Sequence, residues 1–401
     1  MRYTVFHWIF RLVIPVLLLT VVARCSSKSS SPDIPDSSWQ SNMHGLSSTL
    51  MEIYPLVVSK DQFEQPENFH RIEKSTDRLL KLARDLNENH EKAAAIDKDP
   101  SLKLIAASFE RELSTAAEGL RLGKRSYSRY VLKNATNYCI QCHTRGTWGP
   151  EVATWKEDPR LKLLEPNEKA EIMLAVRDFN GALEVYKNVL NDPRSYEKTP
   201  FAWEQAARNA LNLAIRVKKD PDLALALTDQ ILSTPKRALF LKNDARSWRR
   251  QIVKWKFDEK RLKNLKDKDK LAVAKKILDE AHKKQTLVNQ GLSYIHFLRA
   301  SGLLHEFLRS QPSKSQAAEA YFLLGQAYEG QKSDRLSALD EYYYKACINQ
   351  LPHSELSMKC YTRYEEIMYF DFSGSGGLAM PPSALTYLNY LRELAAPKKA
   401  E

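Results

Sequence analysis

Apolar side chains recur along residues 43–57 at alternating spacings of three and four: Met43, Leu46, Leu50, Ile53 and Val57. That spacing places them on one seam of an amphipathic helix. Pro66 suits the first position of a second helix, and Ile72, Leu79, Leu82, Ala83 and Leu86 follow on one face. Asp99-Pro100 reads as the cap and first residue of a third helix. After it come Leu102, Ile105, Ala106, Phe109, Leu113, Ala116, Ala117 and Leu120. A fourth helix is predicted over about 126–143. Four amphipathic helices with short connections bury their stripes most simply as an up-down-up-down bundle, here over 39–150.

From about Leu161 to Ala396 the pattern becomes a succession of helix pairs. Asp178 to Tyr186, and Asp220-Pro221 to Leu225, each read as a turn followed by a helix. Tyr321, Leu324, Gly325 and Tyr328, followed by Ala338, Tyr342 and Pro352, resemble the small and aromatic positions of a tetratricopeptide repeat. The spacing is one residue long there, and other units match only in part. The expected fold is all-α: a four-helix bundle, then a TPR-like α-solenoid over 151–401. A plain helical domain without true repeats is the alternative. Each block carries its own apolar stripes.

Composition narrows this reading. The chain has 401 residues, 43% hydrophobic and 27% charged, which excludes wholesale disorder. Thirteen glycines are few for a turn-rich β architecture. The net charge is +12, but residues 236–284 hold 18 Lys/Arg against 7 Asp/Glu, a net of +11. The rest of the chain is close to neutral. In the basic segment Trp248 and Trp255 interleave with Arg249, Arg250, Lys254 and Lys256. Two readings stand: a solvated helix face, or a docking patch for an acidic redox partner or anionic lipid. Export argues against nucleic acid.

Export is expected from the N-terminus. Residues 1–24 read as a signal peptide or lipoprotein signal: Arg2 and Arg11 supply positive charge, and Leu12–Ala23 is apolar. That run is short for a membrane span. Cys25 opens a tether over 25–38, with seven Ser among the thirteen residues after it. A lone Cys before a flexible polar tether resembles a bacterial lipoprotein, although Arg24 departs from the small residue expected before the lipidated Cys. Lipid attachment at Cys25 and simple cleavage both stay open. The expected location is the periplasm, where disulfides form.

One pentapeptide carries the chemistry. Cys139-Ile140-Gln141-Cys142-His143 is CxxCH. Thiols at i and i+3 reach the two vinyl groups of a haem, and the next residue presents an imidazole to the iron. No second CxxC or HxxxH completes a four-ligand zinc site nearby, and no βαβ pattern suggests a redox dithiol; a structural disulfide or a metal site is the alternative to haem. CxxCH at the end of the fourth helix of such a bundle resembles the class II cytochromes, the cytochrome c′ family and its low-spin relatives. The resemblance covers about 40–148. It implies one covalent haem c inside the bundle, held by Cys139 and Cys142, with His143 as proximal ligand.

The low-spin relatives also take a methionine near the start of the first helix as sixth ligand. The resemblance thus implies Met43. Bundle geometry agrees, because the start of helix one lies beside the end of helix four. His44 is the alternative, on a face with Ser47, Ser48 and Met51 that reads as exposed. Met51 is expected too far along the helix. Arg145 and Trp148 either pack against the haem edge or propionates, or begin the interdomain linker. Cys347 and Cys360 flank Pro352 and form either a disulfide or two buried thiols. His70, His90, His282, His296, His305 and His353 show no ligand spacing and read as surface or core residues.

The expected function is one-electron transfer by a single haem, with the repeat domain docking a redox partner. No catalytic constellation appears in the second block, so the chain is not read as an enzyme. The alternatives are a gas-binding or sensing haem protein with an open sixth position, and an interaction scaffold in which haem is structural.

Overall fold

The computed structural model describes residues 37–88, 99–146, 149, 158–235, 238–262, 265–283, 290–331 and 339–398. The signal at 1–24 and Cys25 lie outside these residues, as do nearly all of the tether, His90, Trp148 and Ala338. The described chain is all-α, with one antiparallel pair of two-residue strands, β1 (Ser373–Gly374) and β2 (Gly377–Leu378). Among the described residues no helix is long and apolar enough to cross a membrane.

The N-terminal helices are α1 (Ser37–Val58), α2 (Lys60–Glu64), α3 (Pro66–Glu88), α4 (Pro100–Arg121), α5 (Arg125–Asn134) and α6 (Thr136–His143). Pro66 and Pro100 open their helices as the sequence suggests, and the Asp99 side chain accepts the Ser101 N–H at 3.1 Å. The expected fourth helix is interrupted at Ala135, which separates α5 from α6. Arg129 donates to the carbonyls of Val57 and Val58 at 2.8 and 2.6 Å. It thereby caps the C-terminal end of α1 with a cation.

Next come α7 (Pro166–Ala175), α8 (Phe179–Asn191), α9 (Pro193–Lys198), α10 (Pro200–Asn212) and α11 (Pro221–Ser233). The α10 helix runs on into a π-helical turn, Leu213–Val217. Then follow α12 (Leu239–Leu262), α13 (Lys270–His282), α14 (Tyr294–Leu308), α15 (Lys314–Glu329), α16 (Leu339–Gln350), α17 (Glu355–Asp371) and α18 (Pro382–Ala395). From α13 onward each helix packs on its neighbour in sequence. Gly325 on α15 shows why: a Cβ there would meet the Tyr344 ring of α16 at 2.5 Å. The aromatic that fills this gap is Tyr344, not Tyr342.

Three cores hold these helices. One joins Leu46, Ile53 and Val57 of α1 to Ile72 and Leu79 of α3, Phe109 and Leu113 of α4, and Val131 and Leu132 of α5. The second joins Leu50, Met51, Tyr54 and Val58 of α1 to Met173, Phe179, Trp203 and Trp248. The third joins Ile105 of α4 to Phe297, Leu324 and Tyr343. The first helix is therefore apolar on two faces, where the periodicity showed one seam. Residue 150 divides the sequence pattern but not the packing, since α1 and α4 serve cores on both sides.

In the basic segment Trp248 and Trp255 are buried while Arg249, Arg250, Lys254 and Lys256 are exposed. Arg249 pairs with Asp229 at 2.6 Å, Lys254 with Glu280 at 2.7 Å, and Lys256 with Asp222. The aromatics and cations occupy opposite sides of α12, so this stretch presents its cations to solvent over a buried aromatic face.

Cys347 of α16 and Cys360 of α17 are joined by a disulfide, with Cα atoms 6.3 Å apart. It closes a hairpin whose turn includes His353 at φ 57°. A cross-link over 13 residues restrains the unfolded chain by about 3 kcal/mol. A Cys347→Ala, Cys360→Ala variant should lose about 2–4 kcal/mol of stability. Urea unfolding with and without a reductant checks this: the reductant should destabilise only the parent protein.

Candidate haem-attachment site

The CxxCH segment occupies the second half of α6, where the 3.6-residue repeat decides what each side chain meets. Cys139, Cys142 and His143 share one face, and Asn137, Ile140, Gln141 and Thr144 share the other. Cys139 packs with Ile140 against the core of Leu50, Met51 and Tyr54. Cys142 and Tyr138 pack where the other two cores meet, and the Tyr138 ring lies 5.7 Å from that of Phe109. Both thiols are free and half-buried. Burial pushes Cys139 up to about 12, with Cys142 adding to the shift. It pushes Cys142 up to about 11, which Arg145 opposes and Asp99 reinforces. Both sulfurs are thus held as neutral thiols.

His143 lies against the C-terminal end of α7. Burial and the Arg177 guanidinium lower it to about 4, while the backbone carbonyls of Ala175 and Leu174 work the other way. The imidazole is neutral at ordinary pH, and its Nδ1 is buried without a hydrogen-bond partner. Among the described residues no three His, Cys, Asp or Glu side chains converge as a metal-ligand cage.

Met43 is half-buried on α1 and borders the same core as Trp39, Leu82, Tyr138 and Cys142. His44 is exposed. Met51 differs from expectation: it is 1% exposed and belongs to the core that Cys139 packs against. His70, His282 and His353 are exposed, and His296 and His305 are buried.

Arg145 is held by partners that its sequence neighbours do not suggest. It is fully buried, and its Nη1 donates to Asp99 Oδ2 at 2.8 Å, to Ser101 Oγ and to the Tyr343 hydroxyl at 3.2 Å. Its Nε donates to the Gln141 carbonyl at 3.0 Å, which ties the network to the motif's own turn. His305 Nδ1 meets Asp99 Oδ2 at 2.8 Å, and its Nε2 meets the Tyr328 hydroxyl at 2.8 Å. Sequence spacing gave no sign of this cluster, because its members are up to 244 positions apart. Asp99 stood out as a helix cap, and it serves both roles.

No family model, curated protein or solved structure matches this chain.

Charge in the cluster is fixed by burial and pairing together. Burial opposes the Asp99 charge, but Arg145 and His305 hold its carboxyl well below the usual carboxylate range. Burial lowers His305 to about 4 although Asp99 pulls it up, because Arg145 already balances the carboxylate. The folded state therefore holds His305 neutral, while the unfolded chain protonates it near 6.5. Stability from this group is complete above 6.5 and is lost as the pH falls from 6.5 towards 4. Asp99, whose folded value is depressed, adds a further loss only below the ordinary carboxylate range. The urea midpoint should decline across that window in the parent protein, and less so in His305→Gln. Asp99→Asn should cost about 3–5 kcal/mol, because it strands the buried Arg145 charge.

Proposed function

We propose that the chain is an exported monohaem c-type cytochrome that carries single electrons and is not itself an enzyme. The observation that carries this reading is CxxCH on α6, with both cysteines on one helix face and the histidine next in line. The residues present fit the group. Two unbridged thiols three residues apart suit two thioethers, and a neutral imidazole with a bare buried nitrogen suits an axial ligand. Haem bound there supplies a reversible one-electron iron couple.

In this reading Cys139 and Cys142 hold the haem covalently. His143 is the proximal ligand, and the Leu174 and Ala175 carbonyls orient its ring. Met43 is the candidate second ligand, favoured because it borders the same core as Cys142 while His44 faces water. Helices α1, α3, α4 and α5–α6 share one core, which supports the cytochrome c′-like four-helix bundle. The succession of neighbouring helices from α13 to α18 supports a TPR-like repeat region that docks a redox partner. The Cys347–Cys360 disulfide supports an oxidising location such as the periplasm.

Attachment and ligation are tested separately. The haem should stay with the polypeptide through acid–acetone extraction and a denaturing gel, and Cys139→Ala with Cys142→Ala should abolish this. Retention of haem by the double variant refutes the thioether reading. The native ferrous protein should be low-spin and bind carbon monoxide slowly or weakly, whereas Met43→Ala should be high-spin and bind it readily. A native protein that is already high-spin and takes up the gas at once places a gas-binding role first.

A further inference from the structure

The face of α6 turned away from the cysteines forms one wall of a cavity of about 800 Å³, whose other walls come from α7, α10, α14, α15, α16 and α17. Tyr328 of α15 lines this cavity and is half-buried. Its hydroxyl lies 2.8 Å from His305 Nε2. The direction of that hydrogen bond follows from the other side of the ring. His305 Nδ1 lies 2.8 Å from Asp99 Oδ2, and Arg145 and His305 together keep Asp99 ionised. An ionised carboxylate only accepts, so the single ring proton of the neutral imidazole sits on Nδ1. Nε2 is therefore the acceptor, and Tyr328 donates. A phenol O–H aimed at a neutral nitrogen base at this distance is placed for proton transfer.

The neighbouring ring lacks such a base. Tyr343 stacks on Tyr328, with centroids 5.5 Å apart and planes 14° apart. The Tyr343 hydroxyl meets Ser101, Arg145 and Asp99. Asp99 is a poor proton acceptor there, because Arg145 and His305 hold its carboxyl well below the usual range. Of the two stacked tyrosines, Tyr328 alone faces a neutral nitrogen. The Arg216 guanidinium lies 5.4 Å from the centre of the Tyr328 ring. A ring that lost an electron and kept its proton would carry positive charge against that cation. Loss of the proton together with the electron leaves the ring neutral, and the imidazolium formed faces Asp99 on its other nitrogen.

We propose that Tyr328 is a redox-active tyrosine, oxidised by a diffusible one-electron oxidant in a step that passes its proton to His305. The Tyr328 O–H bond breaks, an N–H bond forms at His305 Nε2, and one electron leaves the ring for the oxidant. A neutral phenoxyl radical then faces an imidazolium held by Asp99. A one-electron donor reverses the step, returning the electron to the ring and the proton to the oxygen. The proposal uses no part of the haem reading, since Tyr328, His305 and Asp99 lie outside the motif.

Flash photolysis of the full-length protein with tris(bipyridine)ruthenium(II), quenched by pentaamminechlorocobalt(III), supplies a ruthenium(III) oxidant in solution. Freeze-trapping and electron paramagnetic resonance read the radical. A long-lived neutral tyrosyl signal is expected in the parent protein, forming more slowly in D₂O than in H₂O. Tyr328→Phe should lose that signal. His305→Gln, which keeps the Tyr328 ring and removes the nitrogen base, should lose it too. If a thermal melt shows that His305→Gln does not fold, the D₂O effect in the parent protein carries the proton-transfer test. A signal that survives Tyr328→Phe overturns the proposal. So does one that forms at equal rates in D₂O and H₂O, or one that persists in folded His305→Gln, because the proton is then not passed to His305.

Discussion

The ion pair between Arg145 and Asp99 is the joint of this molecule. Two charges withdrawn from water cost several kcal/mol each, and only close pairing with further hydrogen bonds offsets that. Here the partners come from everywhere. Asp99 starts α4, Arg145 follows the motif by two residues, His305 comes from α14 and Tyr343 from α16. The end of α6 is therefore set by contacts from both halves of the chain. An apolar joint of the same size would hold the helices together without fixing the rotation of α6. The directional bonds of a guanidinium do fix it.

That rotation matters because α6 has no idle face. One side turns Cys139, Cys142 and His143 toward the cores, and the other turns Gln141 and Thr144 toward the cavity. The thiols are kept neutral by burial and the imidazole is kept neutral by the same effect. Low polarity around the motif thus places all three groups in their uncharged forms. Desolvation has opposite signs for the two residue types, upward for the thiols and downward for the imidazole.

What was legible in the sequence was local. The Asp99-Pro100 start, the apolar faces of α3 and α4, and the nesting of Gly325 all follow from spacing within a few residues. The Trp248 and Trp255 face of α12 follows from the same period. Long-range packing was not legible. Met51 and Tyr54 gave no second stripe that could be told from ordinary scatter, yet they bury a whole side of α1. His305 had no ligand spacing and read as surface or core. Its meeting with Asp99 spans 206 positions, which no local pattern encodes. Arg145 sat beside glycines that suggested a linker, and tertiary pairing overrode that signal.

The sequence distances in the Arg145 cluster also impose an order of events. A chain is made from its N-terminus, and contacts between distant residues form late because their loops must close first. Tyr343 lies 198 positions beyond Arg145. The motif therefore emerges well before the residue that locks its end in place. During that interval Cys139 and Cys142 belong to an unfinished chain, open to any agent that modifies them. The end of α6 is fixed only once α14 and α16 have been made and have closed on it.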